Sequence, residues 1–308
     1  MSMGVLNNIA ATYAANNLSN TQTSLQNVLT QLSSGSRINS GADDAAGLSL
    51  ANGLQANQSA LTQSASNVNL GVGLLQTADG ALSQVTNLLN RAVTLATEAG
   101  NGTLNTSQSG AANQEYQSIL AEINNIGATT TYNGQAVFGS AASTPASFSI
   151  YTSDGTATGT STDTLNIAAL SSASVGDSGG VIAAATVGNG ITYTVGTSTD
   201  LSTTSLTGAT TAAATTAAQA ALTSIDAAIS GVAAQRGYLG SQINTLNSIA
   251  SVETTQSENL SSAENSVMAT DYTQATSELS KYQILTQTGI SALAQANSTQ
   301  QAVTKLLQ

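Results

Sequence analysis

The sequence predicts a mainly α-helical fold, an elongated antiparallel coiled-coil bundle formed by the paired N- and C-terminal segments, with a small β-rich outer region. Apolar residues recur at seven-residue intervals in the first third of the chain, and a second apolar ladder lies in the last third. The 308 residues include a single proline, so the commonest helix breaker is almost missing. Aromatic residues make up 3% of the chain, which favours aliphatic helix-on-helix packing over a large globular core.

The first element is an amphipathic helix predicted over residues 4–33. Its leucines Leu18, Leu25 and Leu32 keep a seven-residue spacing, which is typical of a coiled-coil face. Gly35 follows the last turn, where a glycine commonly caps the C-terminus of a helix. A polar segment then separates this helix from the next one, and we interpret it as a connector.

The second element is a long helix predicted from Ala45 to Gly100. Its apolar row requires a partner helix, because one helix alone cannot bury such a face in water. The residues of the row are Leu54, Leu61, Val68, Leu75, Leu82 and Leu89. After a Gly-Asn-Gly break, a shorter helix is predicted over about 109–126. The Asn133-Gly134 pair then predicts a tight hairpin turn.

The composition changes in the region from about 138 to 216. Short segments alternate apolar and polar residues between Gly, Ser, Asp and Asn clusters, which favours β-hairpins with one solvated face. These segments are residues 148–151, 164–167 and 191–195. The Thr- and Ala-rich tract at 209–221 fits both a linker and the start of the next helix.

Helical periodicity resumes in the last third of the chain. The positions predicted to complete the outer coiled coil with the long N-terminal helix are Leu222, Ile229, Leu239 and Leu246. The period slips between 251 and 262, and we therefore predict a joint between two helices there. The positions predicted to pack against Leu18, Leu25 and Leu32 are Leu279, Tyr282, Leu285, Leu293, Val303 and Leu307.

This pairing of the two ends predicts the division of the chain into domains. Residues 1–44 and 263–308 form an inner terminal helical domain. Residues 45–175 and 206–262 form an outer coiled-coil domain with β-hairpins, and residues 176–205 form a small variable surface excursion. Because each apolar stripe needs a partner from the other end of the chain, the middle of the sequence is left for the excursion.

Composition and charge exclude several classes of function. Five Lys and Arg stand against 16 Asp and Glu, whereas nucleic-acid binding needs clustered cations. The chain has no His and no Cys, which excludes Ser-His-Asp and Cys-His catalysis and the usual zinc, haem and iron–sulfur ligands. We predict no enzymatic activity, no cofactor and no metal site, and we interpret the adjacent Asp43 and Asp44 as connector charges near a helix start.

The N-terminal sequence does not resemble a cleaved Sec signal peptide, so secretion of the chain would require another export signal. The first eight residues have no basic segment and no continuous apolar core followed by a small-residue cleavage site. Polar residues interrupt the apolar stretches before they reach roughly 18 residues, the length that a membrane span requires. We therefore predict no membrane insertion, which argues against a membrane-active translocator.

Motifs at both ends of the chain resemble those of bacterial flagellins. The segments that carry the resemblance are residues 32–51, 75–82, 269–272, 283–289 and 291–297. The resemblance covers roughly residues 4–139 and 222–308. It implies a structural subunit that is exported and polymerises into the extracellular flagellar filament for motility. A hook–filament junction protein shares the same terminal architecture and is the alternative interpretation, which abundance would separate from the first.

The resemblance also implies the partners of the protein. These are further copies of the chain in a helical homopolymer, a flagellin export chaperone, the flagellar type III export apparatus, and the filament cap and hook-associated proteins. Arg91, Leu95 and Glu115 align with positions through which a flagellin-sensing Toll-like receptor recognises many flagellins. Because Arg91 and Leu95 lie four residues apart on one helix, we predict one patch whose first role is contact between neighbouring subunits.

Overall fold

The computed structural model describes residues 8–139, 146–153, 162–175 and 200–306. Within these ranges, five helices and four short strands confirm the predicted mainly α fold with a small β-rich region. The helices are α1 (Ile9–Ser34), α2 (Ala45–Ala99), α3 (Thr106–Thr129), α4 (Thr211–Met268) and α5 (Tyr272–Leu306). The strands are β1 (Thr131–Tyr132), β2 (Gln135–Ala136), β3 (Ala146–Tyr151) and β4 (Thr162–Ile167). The chain forms two compact units, one of Met1–Ala56 with Glu258–Gln308 and one of Asn57–Ser257.

Local sequence sets both ends of α1. At the N-terminus, Asn8 Oδ1 accepts a hydrogen bond from the backbone N–H of Ala11 at 3.0 Å. At the C-terminus, Gly35 has φ 72° and donates its N–H to the carbonyl of Gln31 at 2.9 Å. Glycine enters this left-handed region without the steric cost that a Cβ brings. The predicted C-cap at Gly35 is confirmed.

In the unit of Met1–Ala56 with Glu258–Gln308, α1 packs against α5 in antiparallel orientation. Asn8 Nδ2 donates to the carbonyl of Ala296 at 3.1 Å near one end of the pair. In the middle the two helices approach closely, because a Cβ on Gly289 would lie 3.2 Å from Leu18 Cδ1. At the other end, the connector after α1 pairs with the segment before α5 through an antiparallel bridge between Ser36 and Ala269.

In the unit of Asn57–Ser257, side chains from α2, α3, α4, β4 and the segments beside β4 and α4 form one hydrophobic cluster. Its fully buried members include Leu75, Leu82, Leu89, Tyr116, Ile123, Leu165, Ile167, Leu201, Leu206, Ile225 and Leu239. The Leu201 N–H donates to the carbonyl of Ser172 at 2.9 Å, so the chain leaves the cluster and returns to it at adjacent points. Thr204 and Leu206 then bond to α3 through Tyr116 and Asn113.

Two antiparallel strand pairs follow the third helix. In the β1–β2 hairpin, Asn133 and Gly134 have φ 50° and 77°, as the type I′ turn predicted from this pair requires. In the second pair, Phe148 lies opposite Leu165. The strands predicted at 148–151 and 164–167 are confirmed, while the one predicted at 191–195 lies outside the described residues.

The helix joint predicted between 251 and 262 is wrong, because α4 runs without a break from Thr211 to Met268. The apolar period slips there for another reason. Glu253 occupies a buried position on α4 and is hydrogen-bonded to Ser64 on α2. A polar pair therefore interrupts the apolar pattern while the helical backbone continues. The Thr- and Ala-rich tract belongs to α4, which settles the choice between linker and helix.

One helix in the described part of the chain is long and apolar enough, by length and composition, to cross a membrane. It is α4, in which an 18-residue window reaches a mean hydropathy of 1.2. Polar residues interrupt the apolar stretches of α4, but the mean over the window still meets this criterion. A core helix of a soluble protein meets the same criterion, and Ala218, Ile225, Val232 and Leu239 on α4 lie in the hydrophobic cluster.

Candidate subunit-packing surfaces

The α1–α5 pair leaves most of its predicted packing residues partly open to solvent. Among the described side chains, Leu18, Leu25, Leu32, Leu279, Tyr282 and Leu293 are half-buried, and Leu285 is exposed. The side chains of Val303 and Leu307 lie outside the described residues. The best-buried residues of the two helices are Val28 and Ala275. The heptad row of leucines did not include them, because Val28 lies three residues after Leu25 and alanine carries little apolar signal.

Large apolar side chains on the outside of this pair face solvent. Ile9 and Tyr13 lie one turn apart on α1, and Tyr13 is 68% exposed. On α5, Ile284 is 64% exposed, and Ile290 is also open. Exposed apolar side chains of this size are candidates for contact with another molecule.

A groove of about 410 Å³ also lies between α1 and α5. Small and polar residues make up most of its walls. Its lining residues are Ala14, Asn17, Leu18, Thr21, Leu285, Thr288, Gly289 and Ala292. The groove is therefore continuous with the half-buried face that the leucine row predicted.

The residues predicted for the outer coiled coil lie at different depths. Leu61, Val68, Leu75, Leu82 and Leu89 on α2 and Leu239 and Leu246 on α4 are buried. Leu222 and Ile229 are partly buried against the same cluster. Leu54 is half-buried and belongs to the unit of Met1–Ala56.

Two polar pairs join α2 to α4 along this seam. Arg236 Nε donates to Asp79 Oδ1 at 2.7 Å, and its Nη2 donates to Oδ2 at 3.2 Å. The hydrogen bonds to Asp79 raise the pKa of the Arg236 guanidinium. The second pair is Ser64 with Glu253, at 2.5 Å. The two pairs lie four to five turns apart on both helices, so they agree on one antiparallel register. Sequence reasoning missed both, because it followed apolar positions alone.

The structure brings Arg91 and Glu115 together on the surface. Arg91 Nε donates to Glu115 Oε1 at 2.6 Å, and Arg91 Nη2 donates to Oε2 at 3.0 Å. This bidentate hydrogen bonding raises the pKa of the Arg91 guanidinium and lowers the pKa of the Glu115 carboxyl. Leu95 is 3% exposed and belongs to the hydrophobic cluster, so it does not share the surface of the other two residues.

The paired carboxylates of the connector have separate structural roles. Asp43 Oδ2 accepts hydrogen bonds from the backbone N–H of Asn39 at 3.0 Å and of Ser40 at 2.9 Å, and these bonds lower the pKa of the Asp43 carboxyl. Asp44 Oδ1 accepts from the N–H of Gly47 at 2.8 Å in the first turn of α2. In the described ranges, no group of three or more acidic residues is arranged to hold a metal ion.

Comparison with known proteins places this architecture in a family. The family model of the bacterial flagellin N-terminal helical region matches residues 5–143, and that of the C-terminal helical region matches residues 222–307. The chain is similar to a flagellin of Listeria innocua, with 31% identity over 278 residues that cover 90% of each chain. A flagellin of Halalkalibacterium halodurans is 31% identical over 307 residues, which cover 99% of this chain and 100% of the relative.

The chain is also similar to the crystal structure of Bacillus cereus flagellin, with 26% identity and a TM-score of 0.45 over 65% of this chain and 94% of that one. The two family models together match well over half of the sequence, and the relatives cover nearly all of it. The chain therefore belongs to the bacterial flagellin family and is a non-enzymatic structural subunit of the extracellular flagellar filament.

Proposed function

We propose that the α1–α5 pair is the part of the subunit that drives polymerisation, within an inner domain of residues 1–44 and 263–308. The observation that carries this proposal is the exposure of Tyr13 and Ile284 on two helices that are themselves only half-buried against each other. Apolar side chains in this setting gain free energy when a neighbouring copy covers them, at about 25 cal/mol for each Å² removed from water. Assembly thereby buries apolar surface that a single subunit leaves exposed to solvent.

The remaining parts of the subunit have supporting roles in this proposal. Residues 45–175 and 206–262 form the outer coiled-coil domain, whose buried rows keep the subunit rigid. The fully buried Leu75, Leu82 and Leu239 support this role. We assign residues 176–205 to the surface excursion; residues 176–199 lie outside the described part of the chain, and Leu201 already belongs to the hydrophobic cluster.

The Arg91–Glu115 pair serves, in this proposal, in the contact between neighbouring subunits. Its two parallel hydrogen bonds present a fixed polar surface at low conformational cost. Recognition by the flagellin-sensing Toll-like receptor is a secondary consequence of the same exposed pair. Leu95 supports that surface from below, because its side chain is buried in the cluster.

Export precedes assembly in this scheme. The subunit passes through the flagellar type III export apparatus as an unfolded or weakly folded chain with the help of an export chaperone. Filament cap and hook-associated proteins then receive it at the growing end, and the terminal helices fold against each other and against neighbours. The marginal stability of isolated helices in water supports this order of events.

The test is polymerisation of a doubly substituted subunit, Tyr13→Ser with Ile284→Ser. Both side chains are exposed, so the monomer should keep its helical circular dichroism signal, while filaments should fail to elongate from seeds in electron micrographs. The matched control is Gln287→Ser, which truncates an exposed polar residue of α5 and should still polymerise. Normal filaments from the double variant would contradict the proposal.

A further inference from the structure

A buried polar chain joins three elements of the Asn57–Ser257 unit. Glu253 on α4 is 3% exposed, and Ser64 on α2 is equally inaccessible to solvent. Ser64 Oγ lies 2.5 Å from Glu253 Oε1 and 3.2 Å from the backbone carbonyl oxygen of Tyr151, the last residue of β3. The serine hydroxyl therefore stands between the helix seam and the β3–β4 pair.

The charge of Glu253 decides whether both contacts of Ser64 can be hydrogen bonds. A serine hydroxyl has one proton and donates it to one acceptor at a time. If Glu253 is ionised, Ser64 faces two acceptors, and one of the two contacts joins two oxygens with no proton between them. If Glu253 is protonated, its O–H donates to Ser64 Oγ, and Ser64 donates to the carbonyl of Tyr151. The protonated form alone satisfies both contacts.

The surroundings of Glu253 also favour the neutral form. Its second carboxyl oxygen, Oε2, is buried and has no hydrogen-bond partner among the described residues. A neutral carbonyl oxygen tolerates this far better than an ionised one, because charge loses much more hydration free energy on burial. Burial accordingly raises the pKa of Glu253, against the opposing effect of the hydrogen bond from Ser64.

Neither of the two arginines on the described helices α2 and α4 is free to compensate a charge at Glu253, because Arg91 is bonded to Glu115 and Arg236 to Asp79. On each element that packs around Glu253, the ionisable residues closest in sequence to the site carry acidic or phenolic side chains. They are Asp44 just before α2, Asp79 on α2, Tyr238 and Glu258 on α4, Tyr151 on β3 and Asp163 on β4. Arg236, farther along α4, is bonded to Asp79. Asp163 is itself partly buried, and burial raises the pKa of its carboxyl too.

We propose that Glu253 is protonated in the folded subunit at neutral pH and that Glu253, Ser64 and the Tyr151 carbonyl form a proton-controlled clasp between β3 and the α2–α4 seam. The ligand of this site is one proton. When a base removes it, Ser64 turns its hydroxyl towards the carboxylate, the Tyr151 carbonyl loses its donor, and the end of β3 is held only by its pairing with β4. Alkaline conditions thus loosen one edge of the subunit without unfolding it.

The test is a pH titration of the full-length monomer by nuclear magnetic resonance between pH 4 and pH 10. One sample carries ¹³C at the glutamate side-chain carboxyl, and another carries ¹³C at the tyrosine backbone carbonyl. The resonances are assigned by their loss in Glu253→Gln, in Glu258→Gln and in Tyr151→Phe. Glu258 is the matched control, because it is an exposed glutamate on the same helix.

We expect the Glu253 carboxyl resonance to keep its protonated position through pH 7, and the Tyr151 carbonyl resonance to shift with the same midpoint as Glu253. In Glu253→Gln, the carboxamide donates permanently to Ser64, so the Tyr151 carbonyl should stay at its low-pH position throughout. In Ser64→Ala, Glu253 should still titrate while the Tyr151 carbonyl no longer follows it. A Glu253 carboxyl that is already ionised at pH 7, or a Tyr151 carbonyl resonance that does not change when Glu253 titrates in the wild type, would overturn the proposal.

Discussion

Arg236 and Asp79 form a bidentate ion pair across the α2–α4 seam, with Nε–Oδ1 and Nη2–Oδ2 distances of 2.7 and 3.2 Å. Both side chains remain more than a third exposed, so solvent screens their attraction. The pair fixes how α2 and α4 align more than it stabilises them. The hydrophobic cluster on the same seam supplies the larger part of the folding free energy.

The first prediction concerns the size of this ion-pair contribution. In a double-mutant cycle with Asp79→Ala and Arg236→Ala, we expect a coupling free energy of about 0.5 to 1 kcal/mol, as for other partly exposed pairs. Urea unfolding of the four proteins measures it. A coupling several times larger would show that the pair is shielded from solvent in a way that its exposure does not indicate.

The second prediction concerns the buried seam. Leu75→Asp puts a carboxylate where the side chain is fully buried and should lower the free energy of unfolding by at least about 4 kcal/mol. Leu70→Asp is the control, because Leu70 lies on the same helix and is largely exposed. Thermal unfolding by circular dichroism separates the two. Equal melting temperatures for both variants would place Leu75 outside the core.

The third prediction concerns the cap of α1. Gly35→Ala should cost about 1 to 2 kcal/mol, because the residue has φ 72° and the new Cβ would lie 2.9 Å from Tyr272 Oη. Gly53→Ala is the matched control on an open face of α2, where nothing lies near the new Cβ. That substitution should stabilise the helix by up to about 1 kcal/mol. Denaturant titration measures the change in unfolding free energy for both variants. An unchanged unfolding free energy in Gly35→Ala would contradict the expected strain of a side chain at this position.

The fourth prediction concerns pH. The lowered pKa values of Asp43 and Glu115 contribute stability that is present above their unfolded pKa and is lost as pH falls through the folded pKa. The raised pKa values of Asp163 and Glu253 act in the opposite sense, because their contribution is present below the unfolded pKa and is lost as pH rises through the folded pKa. These effects oppose each other, so unfolding free energy should change little on moderate acidification.

Urea unfolding at a series of pH values between 7 and 3 tests this balance. Glu253→Gln removes a contribution that stabilises the fold as pH falls, so this variant should lose more unfolding free energy on acidification than the wild type. Glu115→Gln removes an acid-sensitive contribution and should lose less. The reverse order of the two variants would show that the directions of these pKa shifts are assigned wrongly.

The fifth prediction concerns the terminal helix. Deleting residues 268–308 removes α5 and leaves α1 without the helix that it packs against. The truncated chain should stay a soluble monomer, because the core of the Asn57–Ser257 unit is untouched. Sedimentation and electron microscopy after addition of filament seeds provide the measurement. Long filaments from this chain would remove the α1–α5 pair from the assembly mechanism.

The sequence predicted those parts of the fold that depend on local and periodic chemistry. The seven-residue row containing Leu75 and Leu82 marks the seam, Gly35 marks a helix end, and Asn133-Gly134 marks a hairpin, because each depends on properties of neighbouring residues alone.

What the sequence could not predict depends on contacts between distant segments. Ser64 and Glu253 are polar, so an apolar pattern passes over them, and their partnership becomes visible only when α2 and α4 lie side by side. The burial of Leu95 was also missed because it depends on a distant segment. It lies outside the heptad row that predicts the buried face, but α3 packs against α2 as well and widens that face. The predicted surface patch with Leu95 assumed that α2 buries only one face, whereas α2 packs against other helices on more than one side.

The hydrogen bond between the Leu201 N–H and the Ser172 carbonyl has a practical consequence for engineering. It holds the two ends of the intervening sequence side by side, and Tyr116 anchors the returning chain to α3. The entropy of closing a flexible loop grows slowly, by only about 0.6 kcal/mol for each doubling of its length. A change in the length of the sequence between these two anchored ends should therefore cost the hydrophobic cluster little free energy of folding.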